Sequence, residues 1–112
     1  METKGIKAYV EKGSYAITVG ENVPNDFFCI MKTNNEITAI VKNEAVEKGE
    51  YKDAEKDYKI ITFDVTFTFS NPAVGFFAKI TNAIASKKIS VLCYSSYYTD
   101  HILVKEKDLQ KT

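Results

Sequence analysis

Arginine and tryptophan are absent from this chain of 112 residues. All 15 cations are lysines, and 15 aspartates and glutamates cancel them. A neutral chain without guanidinium forks lacks both the field and the bidentate donors that nucleic-acid binding uses, so no nucleic-acid partner is expected. No apolar run approaches the roughly 20 residues of a membrane span, and Met1–Val10 holds no signal-peptide apolar core, so no membrane partner is expected either. The two cysteines, Cys29 and Cys93, are too few for a secreted disulfide scaffold, and a cytoplasmic protein with reduced thiols is the natural reading. A single histidine, His101, cannot build a multi-histidine metal site. Phosphate-cradling and dinucleotide glycine motifs are missing, which leaves no metal or cofactor to expect. What is present is 45% hydrophobic and 27% charged residues, the composition of one small globular domain.

The first clear element is Tyr15–Val19, a β-branched and aromatic run between Gly13 and Gly20, with Ile6–Val10 as a short strand or arm before it. Gly20–Asp26 has turn chemistry, and Pro24 can open a single helical turn. Phe27–Lys32 and Ile37–Lys42 read as strands joined by Thr33-Asn34-Asn35-Glu36, a hairpin connection. Glu44–Lys48 reads as a short helix ended by Gly49. Glu50–Asp57 alternates charge signs and reads as a solvated loop joining two halves.

The second half is more sharply patterned. Ile61, Phe63, Val65, Phe67 and Phe69 alternate with Thr62, Asp64, Thr66 and Thr68, which predicts a strand covered on one face only. Ser70-Asn71-Pro72 then offers a helix cap with proline at the first helical position. Val74, Phe76, Phe77, Ile80, Ala83 and Ile84 form an apolar stripe on a helix running to about Lys87. Ile89–Tyr98 and His101–Lys105 complete a β-α-β-β order, and Lys107–Thr112 starts a helical stub. The first half repeats this order with a shorter helix. Two such halves predict an α+β sandwich, an antiparallel sheet with its helices on one face.

That order in about sixty residues resembles an ACT domain. Ile89-Ser90-Val91-Leu92-Cys93-Tyr94-Ser95-Ser96-Tyr97-Tyr98-Thr99-Asp100-His101-Ile102-Leu103-Val104-Lys105 is similar to the hallmark of small tandem-ACT proteins related to the CASTOR arginine sensors. Phe27–Thr33 followed by Glu36–Val41 resembles the first-half hairpin of that family. The likeness runs from about Ser14 to Leu109. It implies a ferredoxin-like tandem ACT fold, with an N-terminal ACT-like half at 1–57 and a C-terminal half at 58–112. It also implies a non-catalytic regulatory protein that binds a small ligand, often an amino acid, between ACT units. The approach to the helix departs from the family pattern: Thr68 stands where an acid is common, and Val74 stands where a threonine precedes the glycine.

The resemblance matches Asp100 to a carboxylate that holds a ligand ammonium, a charge-assisted contact about twice as strong as a neutral one. Its bland alternative is an ordinary turn aspartate. Gly75, with Asn71, Ala73 and Val74, would bring backbone amides at the helix start close to a ligand carboxylate; tight packing is the alternative. Ser95, Ser96 and Thr99 supply hydroxyls beside Asp100, or else pair across strands. Tyr94, Tyr97 and Tyr98 fit an interface or half-buried sheet packing equally. His101 neighbours Asp100 in sequence, but adjacent strand residues point to opposite faces, and no nucleophile stands at a recognised spacing. Cys93 reads as core. No catalytic residue is therefore assigned. The apolar and tyrosine content, with an open sheet edge, predicts a homodimer. The competing function is a ligand-free interaction module on the same fold.

Overall fold

A computed structural model describes residues 7–64, 76–96 and 99–111. The chain divides into two compact units, Lys12–Tyr58 and a second one built from the residues up to Glu11 together with those from Lys59 onward.

The Lys12–Tyr58 unit is an antiparallel sheet of β2 (Tyr15–Gly20), β3 (Cys29–Lys32), β4 (Ile37–Lys42) and the first part of β5 (Asp53–Asp64), in the order β3-β4-β2-β5. The β3–β4 link is the expected one. Thr33 N donates to Glu36 O at 2.9 Å, and the Thr33 hydroxyl oxygen accepts from Asn35 N and Glu36 N at 3.4 and 3.3 Å. Ala16, Ala39 and Val41 form its core, with Ile30, Ala45 and Val46 packed against them. Ala45 and Val46 come from a 3-10 segment, Asn43–Lys48, where a short helix was expected. Residues 21–28 carry no helical turn at Pro24, and β3 begins at Cys29 rather than Phe27.

The charged stretch read as a loop is instead the start of β5. Its backbone pairs with β2 while Asp53, Glu55, Lys56 and Asp57 stay exposed, so a ladder forms without burying a charge. The register slips where Lys56 and Asp57 oppose β2 between Tyr15 and Ile17, a bulge in which Asp57 takes a left-handed φ of 72°. Asn43 clasps it: Asn43 Nδ2 donates to Asp57 Oδ1 at 2.9 Å, and Asp57 N donates to Asn43 Oδ1 at 3.2 Å.

In the other unit, β1 (Lys7–Val10) pairs antiparallel with the second part of β5, Lys7 opposite Asp64 and Val10 opposite Ile61. β7 (Thr99–Lys105) lies next to β5, and β6 (Val91–Ser95) follows it, antiparallel, at the end of the strand order. Helix α1 (Phe76–Ala85) places Ile80 and Ile84 on Ile89, Ile102 and Val104, with Ile61, Phe63, Val91 and Leu109 around them. Ala83, expected on that stripe, is exposed, while Val74 and the side chains of Phe76 and Phe77 lie outside the described residues. The helix closes through Lys87 N to Ile84 O at 3.0 Å and Lys88 N to Ala85 O at 2.9 Å, with Lys88 left-handed at φ 61°. A 3-10 segment, Glu106–Lys111, stands in place of the helical stub.

Two further expectations fail here. Thr62, expected on the solvent face of β5, is 1% exposed, because Glu11 and His101 close over its hydroxyl, while Asp64 is exposed as expected and residues 65–69 lie outside the described residues. Cys93 is exposed rather than core, because β6 is an edge strand. Among the described residues α1 is the one α-helix, and the other helical segments are the two 3-10 segments.

Candidate functional site

Strand parity sorts the residues at the β6–β7 end into two groups. Asp100 shares parity with Ile102 and Val104, the β7 residues that meet α1, so its side chain belongs to the helix side. Ser95 lies opposite it in register, and Ser95 Oγ donates to Asp100 Oδ1 at 2.5 Å. That bond aims the carboxylate while Asp100 stays half-buried, within reach of a small cation from solvent. Asn71, Ala73, Val74 and Gly75, the expected amide partners, lie outside the described residues.

Ser96 and Thr99 belong to the opposite group. Ser96 N donates to Thr99 O at 2.9 Å, and their hydroxyl oxygens are 2.5 Å apart. Thr99 Oγ1 is 2.8 Å from His101 Nε2, and Thr62 Oγ1 is 3.0 Å from His101 Nδ1. Thr62 Oγ1 in turn donates to Glu11 Oε2 at 2.5 Å. The donor arithmetic fixes the ring. A hydroxyl has one proton, Thr62 gives it to Glu11, and so Thr62 accepts from Nδ1–H. The neutral imidazole then accepts at Nε2 from Thr99, and Ser96 donates to Thr99. Tyr94 stands across from His101, ring centroids 6.5 Å apart. Burial pushes His101 below the ordinary histidine pKa, against smaller opposing pulls from Glu11 and Asp100.

Of the hydroxyl residues expected beside Asp100, then, only Ser95 touches it, and Ser96 and Thr99 serve His101. Sequence reasoning weighed His101 solely against its neighbour Asp100. It missed the Glu11–Thr62–His101 chain, whose members are far apart in sequence and meet only through the β1–β5–β7 pairing. The visible signal was a lone histidine entering a strand beside a threonine face. As for chemistry, burial raises the thiol pKa of Cys29, and burial followed by the Asp100 charge raises that of Cys93, both away from thiolate. Among the described residues no group of three or more His, Cys, Asp or Glu side chains is placed to hold a metal ion, and no helix is long and apolar enough to cross a membrane. What the hairpin end offers is a carboxylate positioned by Ser95 on the side of the sheet that carries the helix.

An antiparallel sheet in β-α-β-β order is a ferredoxin-like fold. The ACT domain profile matches residues 53–112, more than half of the sequence, and the chain belongs to the ACT domain family. Among curated proteins none matches. Among solved structures, a Vibrio cholerae protein of unknown function, described as a possible transport protein, is 22% identical with a TM-score of 0.74, covering 96% of this chain and 84% of that one. An Agrobacterium tumefaciens protein is 22% identical with a TM-score of 0.76, covering 95% and 82%. The ligand-free regulatory subunit of aspartate kinase from Thermus thermophilus is 12% identical with a TM-score of 0.66, covering 96% and 92%. At these identities the likeness is one of fold.

Proposed function

We propose that this protein is a non-catalytic small-molecule sensor of the ACT type whose ligand is an amino acid. The observation that carries this reading is Asp100, aimed by Ser95 on the helix side of an ACT fold. The ligand ammonium sits against Asp100, and its carboxylate faces the amides of Ala73, Val74 and Gly75 beside Asn71. Ser96 and Thr99 border the site by shaping the turn. Residues 1–57 and 58–112 act as a tandem of ACT-like halves in the manner of CASTOR relatives, in a cytoplasm that keeps Cys29 and Cys93 reduced. The likeness in fold to the regulatory subunit of aspartate kinase from Thermus thermophilus supports the same reading.

The test is a thermal-shift screen of the twenty common amino acids. A true ligand at a hundred times its dissociation constant adds about 2.7 kcal/mol of stability. No shift with any of them sinks the proposal.

A second reading has its own observation. β6 ends the strand order, and Leu92 on it is 45% exposed, an apolar edge of the kind that pairing covers. We propose that the chain is a homodimer; a clean monomer in sedimentation at tens of micromolar, roughly where such edges associate, contradicts it. A dimer deaf to every amino acid favours the pure interaction module.

A further inference from the structure

The Lys12–Tyr58 unit has a concavity of its own. The start of β2, the end of β4 and the approach to β3 meet at one end of its sheet, where Tyr15 pairs in register with Lys42 and Phe28 N donates to Ile40 O at 2.7 Å. Residues 26–28 and the 3-10 segment close round this end and leave a pocket of about 380 Å³. That is within the usual size range for small-molecule sites. Tyr15 and Phe28 form one wall, edge to face with centroids 5.6 Å apart, and Ala45 lies in the lining. Tyr15 is locked by donating its hydroxyl to Lys12 O at 3.0 Å, so it presents its ring. Phe27 stands in the lining with 45% of its surface exposed, a large apolar ring left in water.

The charges around this apolar pocket are of both signs. Lys42 and Lys48 contribute two ammonium groups, Asp26 and Glu44 two carboxylates. Among the described residues none of the four is engaged in an ion pair. An aromatic wall with uncommitted charges of both signs complements a molecule that has an apolar ring and both signs of charge. A purely anionic ligand would meet Asp26 and Glu44, and a purely cationic one Lys42 and Lys48, at an electrostatic cost either way.

We propose that this pocket is a second binding site, separate from the Asp100 site, for a small zwitterion with an aromatic body. Its ring stacks against Phe27 and Phe28 and its two charges divide between the lysines and the carboxylates.

Amide-resolved NMR titration with L-phenylalanine tests this, with phenethylamine and 3-phenylpropionate as probes that keep the ring and one charge each. The expected result is saturable shifts at Phe27, Phe28 and Ala45 with the zwitterion, and binding at least several-fold weaker for either single-charge probe. Glu44→Gln and Lys42→Gln, both exposed and so compatible with folding, each weaken binding by about 2- to 5-fold, the range of exposed charge pairs. Asp100→Asn leaves these shifts unchanged, which keeps this test independent of the ligand reading at the other site. Shifts confined to the Asp100 hairpin, equal binding of all three probes, or no saturation overturn the proposal.

Discussion

Ile84, Ile89, Ile102 and Val104 pack together in the unit that carries α1, whereas Ala16, Ala39 and Val41 do the same work in Lys12–Tyr58. The strand plans are alike, four strands each with β5 shared and two of the four forming a hairpin, and the side-chain volumes follow the cover. A helix of 10 residues, Phe76–Ala85, brings Ile80 and Ile84, which need large partners to fill the space beneath them. The 3-10 segment brings only Ala45 and Val46, and small strand residues let it approach. A shorter cover is thus matched by smaller side chains in the core.

The largest expected effect breaks or supports this contrast directly. Ile102 and Val41 are both fully buried, at 0% and 1% exposure. Ile102→Ala is expected to cost about 2–5 kcal/mol, a transfer loss plus a cavity that α1 cannot collapse into. Val41→Ala removes less and leaves a smaller gap, at roughly 1–2 kcal/mol. Denaturant unfolding measures both. Equal costs would mean that the alanine-lined core is packed as tightly and depends as much on its cover.

In the second half Ile80 and Ile84 were legible because burial imposes helical spacing on a helix that covers a sheet. Ile37–Lys42 and its asparagine link were legible through strand-forming residues and turn chemistry. Three things were not. The start of β5 was hidden because pairing to β2 uses backbone groups alone, leaving its charges in water where they look like a loop. Thr62 looked solvent-facing because its partners, Glu11 just after β1 and His101 in β7, are distant in sequence. The sorting of Ser95 from Ser96 depended on register, and a one-residue shift would exchange their sides. Asp100 was singled out by resemblance alone, and its bond to Ser95 was not legible.

A second comparison involves two buried threonines. Thr18, 2% exposed, donates to the Ala39 carbonyl at 2.9 Å, a neutral acceptor. Thr62 serves a carboxylate and an imidazole at once. Thr62→Val should therefore cost about 1–3 kcal/mol, the range for stranding buried polar partners, and Thr18→Val about 0.5–1.5 kcal/mol, the range for one neutral bond. The reverse order in unfolding experiments would show that water replaces the threonine hydroxyl beside His101.

Asp100→Asn should be milder and should act on binding. Asparagine keeps the turn preference and can still accept from Ser95, so stability is expected to stay within about 0.5 kcal/mol. Asp100 is half-buried at a hairpin end, so losing its charge is expected to weaken amino-acid binding by about 1 kcal/mol, read by calorimetry. Unfolding with unchanged affinity in the folded fraction would make Asp100 a structural turn residue.

The smallest expected effect is a pH slope in one unit and not in the other. His101 is the single histidine of the chain, and it lies in β7. Its folded-state pKa is lowered, chiefly by burial, so the unfolded chain binds the proton more readily than the folded one. The stability that the neutral ring contributes is complete above the unfolded value of about 6.5. It is lost as pH falls through the lower folded value. Protonation also turns Nε2 into a donor, so the Thr99 hydroxyl must reverse and give its proton to Ser96. Hydrogen exchange corrected for intrinsic rates should show β7 amides losing protection between pH of about 7.5 and 5.5, a window above ordinary carboxylate titration. Amides of β4, in a unit without a histidine, should hold theirs as long as opening is local. His101→Gln should flatten the β7 slope. Protection in β7 that rises on acidification would mean that Glu11 and Asp100 outweigh burial, reversing the sign of the shift.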